Sequence, residues 1–169
     1  GGVFKKGDAV TVLPSGFTSM TKSIDSFGQL PEEAFAGQSV TLTLTDEIDI
    51  SRGDMLAKTD NLPHVAQEIE ATVCWMNEKK LIVNGKYALK HTSKEVRCVI
   101  REVIHKINIS TFEAITEDKS VGLNDIANIK LKTTAPLAFD AYNRNRITGS
   151  FILIDEGTNE TVASGMVRH

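Results

Sequence analysis

Residues 34–57, AFAGQSVTLTLTDEIDISRGDMLA, contain the cleanest period in the chain. Val40, Leu42 and Leu44 alternate with Ser39, Thr41, Thr43 and Thr45. Successive side chains of a strand point to opposite faces, so this spacing predicts a strand with one buried and one threonine-lined face. Threonine suits the outer face because its branched Cβ tolerates the pleat. Gly37 precedes the strand, and an acidic turn and a second short strand, Met55–Lys58, follow it.

Short alternating runs broken by Gly, Pro and Asn recur on both sides. Towards the N-terminus, a KKGD turn leads into a strand over Ala9–Leu13 that stops at Pro14, and residues 18–27 form the next strand. Residues 30–35 (LPEEAF) predict a single helical turn, with Pro31 at its first position and two carboxylates near the N-terminal dipole. Residues 59–67 (TDNLPHVAQ) are polar and contain a proline, and are the linker candidate, dividing the chain into 1–60 and 61–169. Beyond it the pattern restarts: Ile69, Ala71, Val73 and Trp75 share one face of EIEATVCWM. Asn84-Gly85 is a turn signal, and residues 87–91 and 95–107 flank a TSK turn as a hairpin.

In the second hairpin strand Val96, Cys98 and Ile100 face one way and Val103, His105 and Ile107 the other. A β-bulge is expected near Arg101–Val103. Residues 111–125 read as polar, with a turn of helix at GLND. IANIKLKTTA alternates with Ile129 and Leu131 inside until Pro136, and residues 137–146 (LAFDAYNRNR) read as a loop. SFILID is apolar on both faces, as a central strand would be, and Thr161–Val167 is the last strand. The sum is an all-β chain of two small antiparallel β-barrels with no long helix.

The 169 residues carry a net charge of −3, with 41% hydrophobic and 6% aromatic residues. That apolar content suffices for ordinary cores and excludes wholesale disorder. The acidic balance and the single Trp argue against backbone-tracking or base-stacking nucleic-acid binding. No apolar run has the length of a membrane span and no charged-then-apolar leader opens the chain, so the expectation is a cytoplasmic protein without membrane contact. Cys74 and Cys98 each sit in an apolar run and read as small buried thiols, which fits a reducing compartment.

The unit "aGqsV-L-L–DI-RGD-L" resembles the second domain of elongation-factor-Tu-like translational GTPases. DEIDISRGDML and the run IKLKTTAPLAFDAYNRNRITGSFILIDEGTNETVASGMV resemble one branch of them, the large GTPase subunit of bacterial sulfate adenylyltransferase (ATP sulfurylase). The resemblance extends from Val3 to Val167. It implies a translation-factor-like domain 2 followed by an elongation-factor-Tu C-terminal-like domain 3. It also implies that the first barrel lacks strands lying before Gly1, leaving an open edge that a neighbour or another segment would cover.

For the parent protein the resemblance implies a GTPase that partners a small catalytic subunit. Together they make adenosine 5′-phosphosulfate and pyrophosphate from ATP and sulfate in sulfate assimilation. GTP and Mg²⁺ would sit in an upstream GTPase domain, and in some members an adenylylsulfate kinase follows downstream.

The residues themselves offer no catalysis. No G-x-x-x-x-G-K-[ST], NKxD-like loop or switch DxxG is present, so no cofactor site is assigned within these residues. His64, His91, His105 and His169 show no ligand spacing, and no metal site or catalytic residue is nominated. Asn108-Ile109-Ser110 and Asn159-Glu160-Thr161 read as turn chemistry rather than glycosylation sites. Arg52-Gly53-Asp54 reads as a turn with Gly at positive φ. Arg52, Asp54, Arg144 and Arg146 are the candidates for contact with a partner or another domain, a solvated loop being the plainer reading for the last two. Two rivals stay open: barrels of another translational GTPase, and a free-standing β-barrel binding module.

Overall fold

A computed structural model describes residues 2–168 as strands and turns, with no helix among them. Contacts divide the chain into two compact units, Gly1–Pro63 and His64–His169.

In the first unit, β1 (Val3–Lys5) pairs with β4 (Glu33–Phe35) as a two-stranded ribbon. β2 (Ala9–Leu13), β3 (Thr18–Asp25), β5 (Thr41–Leu44) and β6 (Met55–Lys58) form a sheet in the order β5-β3-β2-β6. The alternation at 40–45 holds, with Leu42 and Leu44 half-buried and Thr41 and Thr43 exposed. This strand lies at a sheet edge with β3 as its one partner, which is why its inner face is only half covered. Residues 30–35 are not helical: Ala34 is buried opposite Phe4, and Lys6 N–H donates to the Glu32 carbonyl. Cross-strand pairing and burial of Ala34 outweigh the helix-start signals of so short a segment. The sheet is not closed. The ribbon covers part of the gap, since Phe4 and Ala34 line the same apolar hollow of about 250 Å³ as Leu42 of β5 and Leu56 of β6.

The second unit contains β7 (His64–Trp75), β8 (Lys86–His91), β9 (Lys94–Ile107), β10 (Ala114–Ile115), β11 (Ile126–Phe139), β12 (Ser150–Ile154) and β13 (Thr161–Val167). Six of them close on themselves in the order β8-β9-β11-β7-β13-β12-β8, while β10 extends one end of β9. The inward row Ile69, Ala71, Val73, Trp75 is buried as its period requires, against Leu89, Ile100, Ile129, Leu131, Phe151 and Leu153. Trp75 is 1% exposed; its Nε1–H donates to the Lys79 carbonyl at 2.7 Å and its ring meets Tyr87 edge-on at 5.8 Å.

β8 and β9 form the expected hairpin, turned at Thr92 and Ser93, and Asn84 takes a positive φ in the turn before it. The phase of β9 changes at Arg101, which has no partner on β11 and brings Val103 inward opposite Ile129. Ile104 is a second extra residue that turns the phase back, so His105 lies opposite Asn128 and not, as expected, on the face of Val103. GLND is a turn and not a helix, because Asn124 is left-handed and the Asp125 carboxylate accepts from Gly122 N–H. β7 begins at His64, so the irregular connection spans only 59–63. β11 continues through Pro136 to Phe139. Residues 133–136 bulge opposite Gln67, which lets proline sit inside a strand without breaking the ladder.

Closure satisfies every strand edge of the barrel, while β5 and β6 keep one unpaired side each. Amide hydrogens in residues 1–58 are therefore expected to exchange faster than those in 67–168. Native-state exchange with uniform protection across both units would contradict this.

Candidate functional site

Arg52 and Asp54 lie in the tight turn before β6. Gly53 adopts φ 97°, the left-handed region expected of it, and Asp54 N–H donates to the Ser51 carbonyl at 3.0 Å. The Asp54 carboxylate accepts from Ser51 N–H at 2.9 Å, so it is used by the turn itself, and Arg52 is exposed.

Arg144 and Arg146 lie on the loop 140–149, in the other unit. The backbone of this loop is held by hydrogen bonds, while the side chains of Asn143, Arg144 and Arg146 are exposed. Thr148 Oγ1 donates to Asp140 Oδ2 at 2.7 Å, and Asn145 Oδ1 accepts from Ile147 N–H at 3.1 Å. Gly149 N–H donates to the Asn145 carbonyl, Tyr142 N–H to Val167, and Val167 N–H back to Gly149. His91, 3% exposed, places Nε2 2.7 Å from the Thr148 carbonyl and ties the loop to the end of β8. Gly149 is packed so closely that an added Cβ would lie 2.5 Å from the Tyr142 Cα. Both arginines are thus presented from a fixed backbone.

The loop overhangs a groove of about 720 Å³ on the outer wall of the barrel. Lys90, Tyr142, Arg146, Ile147, Ile152 and Met166 line it, with the hydroxyls of Thr92, Ser150 and Ser164. Only Arg146 of these was nominated from the sequence. A signal for the rest was present in SFILID. Phe151 and Leu153 point inward, whereas the outward Ile152 is half-buried in the groove; β12 is central, paired on both sides by β13 and β8, and its outer apolar face lines the groove. The structure brings Arg52 to Asp54 and Arg144 to Arg146, each pair on one turn or loop, and assigns the two pairs to separate units.

Several other polar side chains have structural roles. Asn128 Nδ2 donates to His105 Nε2 at 2.9 Å, while its Oδ1 accepts from Thr72 Oγ1. His64 packs edge-on against Phe139 at 5.4 Å, and His169 lies outside the described residues. Lys106 ion-pairs with Asp118 at 3.3 Å and Asp125 at 3.1 Å, pinning the 111–125 segment to the barrel; these carboxylates raise its pKa against the opposing effect of burial. Cys98 is buried and its thiol is pushed up to about 12, so it stays neutral and inert; Cys74 is half-buried. Among the described residues no group of three His, Cys, Asp or Glu could hold a metal, and there is no helix long and apolar enough to cross a membrane. Among the described residues there is no helix, and so no glycine-rich loop opening onto a helix N-terminus.

A closed six-stranded antiparallel barrel preceded in sequence by a small open β-unit is a translation-factor-like pair of β-domains. Residues 68–168 match the model described as GTP-eEF1A C-terminal domain-like, and the chain belongs to that family. The fold agrees with crystal structures of sup35 complexed with GDP and with GMPPNP, each with a TM-score of 0.88 over 99% of this chain and 41% of theirs, at 21% and 20% identity. Closer in sequence are named enzyme subunits. The chain is 46% identical over 168 residues to sulfate adenylyltransferase subunit 1 of Shewanella woodyi, covering 99% of this chain and 36% of that protein. It is 44% identical over 167 residues to the bifunctional enzyme CysN/CysC of Mycobacterium tuberculosis, covering 98% of this chain and 27% of that protein. The chain therefore spans about a third of the length of the curated relatives it matches.

Proposed function

We propose that these residues are the non-catalytic β-barrel region of a GTP-hydrolysing sulfate adenylyltransferase subunit, acting as a scaffold for partner docking. The observation that carries this reading is the 40–46% identity to subunits of that name over nearly all of the chain. In the parent, GTP and Mg²⁺ belong to the upstream GTPase domain. The small catalytic subunit joins ATP and sulfate into adenosine 5′-phosphosulfate, and an adenylylsulfate kinase is fused downstream in some members. The setting is cytoplasmic sulfate assimilation. Arg52, Arg144 and Arg146 are exposed for such contacts, whereas Asp54 serves its own turn.

The test is paired. The chain, immobilised, is expected to retain the purified small catalytic subunit of a sulfate adenylyltransferase, and to give no saturable heat with GTP and Mg²⁺ in calorimetry. Failure to retain the subunit at micromolar concentration would count against docking, and saturable GTP binding would count against the division of labour.

A further inference from the structure

We propose that the groove under the 140–149 loop docks an extended acidic segment of another polypeptide, one of whose large aliphatic side chains sits against Ile147, Ile152 and Met166. This goes beyond the subunit reading and holds whichever protein supplies the segment.

Three observations converge. The first is charge. Lys90 and Arg146 both line the groove, no carboxylate does, and neither cation makes an ion pair among the described residues. Glu95 stands opposite Lys90 in the β8–β9 register but does not line the groove. In a chain of net charge −3 this is a local reversal of sign, and it fits carboxylates. The second is apolar exposure. Ile147 is 75% and Met166 39% exposed, and with the outward Ile152 they are grouped in one groove, whereas exposed Val65, Ile109, Phe112 and Leu123 of the same unit do not line it. Apolar side chains grouped beside cations mark contact sites more often than scattered ones do. The third is preorganisation. Lys90, Ile152 and Ser164 are in register across three adjacent strands, and the overhanging loop is fixed by the bonds of Asp140, Asn145, Thr148 and His91. A site already in shape loses little entropy on binding.

A nucleic acid is the poorer occupant, because the groove has two cations, and of its two aromatic residues Phe151 is buried, which leaves Tyr142 alone for stacking. A small metabolite is poorer too, since the groove is open along the outer wall and does not enclose it.

The test uses the 169-residue chain and three short fluorescein-labelled peptides: glutamates with two isoleucines, glutamates with serines in their place, and lysines with the same two isoleucines. At low salt only the first is expected to saturate, on the order of tens of micromolar, with amide shifts concentrated at 90, 142–152 and 164–166. Arg146→Glu, Lys90→Glu and Ile147→Ser are each expected to weaken it about fivefold or more. All three residues are exposed, and unchanged amide spectra away from the groove verify folding. Several outcomes overturn the proposal: no saturable binding of the first peptide, equal binding of either control, shifts centred elsewhere, or tighter binding of a short RNA duplex than of any peptide. Because no catalytic subunit is involved, failure here leaves the subunit reading standing, and failure of that reading leaves this one testable.

Discussion

Replacing Trp75 by alanine is expected to destabilise the barrel by about 3–5 kcal/mol, the usual range for truncating a large buried aromatic. Three losses combine. The side chain is 1% exposed, so its removal leaves a cavity in a closed barrel whose walls are held by ladders on every side. The edge contact with Tyr87 at 5.8 Å disappears. The Lys79 carbonyl also loses the indole N–H at 2.7 Å, which holds the β7–β8 connection to the barrel end. Denaturant unfolding followed by far-ultraviolet dichroism measures the sum, and a loss under about 1 kcal/mol with unchanged slope would place the indole outside the core.

The second large effect is expected at Gly165. It lies opposite Phe151 in the β12–β13 register, and an added Cβ would stand 2.2 Å from the Phe151 Cζ and 2.4–2.6 Å from both ring Cε atoms. The ring covers the glycine, and at 4% exposure it has nowhere to move. Gly165→Ala is therefore expected to cost about 1–3 kcal/mol through overpacking. Phe151→Leu shortens the obstructing side chain, so the double variant should be less destabilised than the sum of the two singles. Strict additivity in a thermal or denaturant cycle would show that the ring does not press on this glycine.

Much of this was legible from letters alone, for a physical reason. Where one face is buried and the other wet, as in β7, the period of two is written directly into the sequence, and Ile69, Ala71, Val73 and Trp75 fall inside without exception. The β9 bulge was legible because a register slip must reverse the phase of the apolar residues. Segments decided by pairing at a distance were not legible. LPEEAF carries every local mark of a helix start, yet Ala34 is held opposite Phe4. Pro136 looks like a strand end until Gln67 is seen facing the bulge. The groove was hidden similarly: Lys90, Ile147, Ile152 and Met166 come from four places in the chain, and only the barrel register collects them. Arg146 was nameable because its loop reads as exposed, but nothing local showed that loop to be rigid.

The wiring of the barrel also sets the order in which it can come into being. β7 is its first strand to leave a ribosome, yet its neighbours are β11 and β13, and Trp75 waits for Ala163 near the other end of the chain. Before β11 is made, the β8–β9 hairpin and the short β9–β10 pairing are the pairings available, and β7 has neither of its neighbours. Loop closure over such spans comes before any reward from packing, so folding is slow and nearly all-or-none. A nascent chain halted at residue 160, with β13 unmade, should be digested by protease as readily as an unfolded one, while a chain that includes β13 resists. Protection of the halted chain would mean that five strands can hold without the sixth. During synthesis, then, the exposed face of β7 is the natural target of a chaperone, and the last seven-residue strand is what ends that exposure.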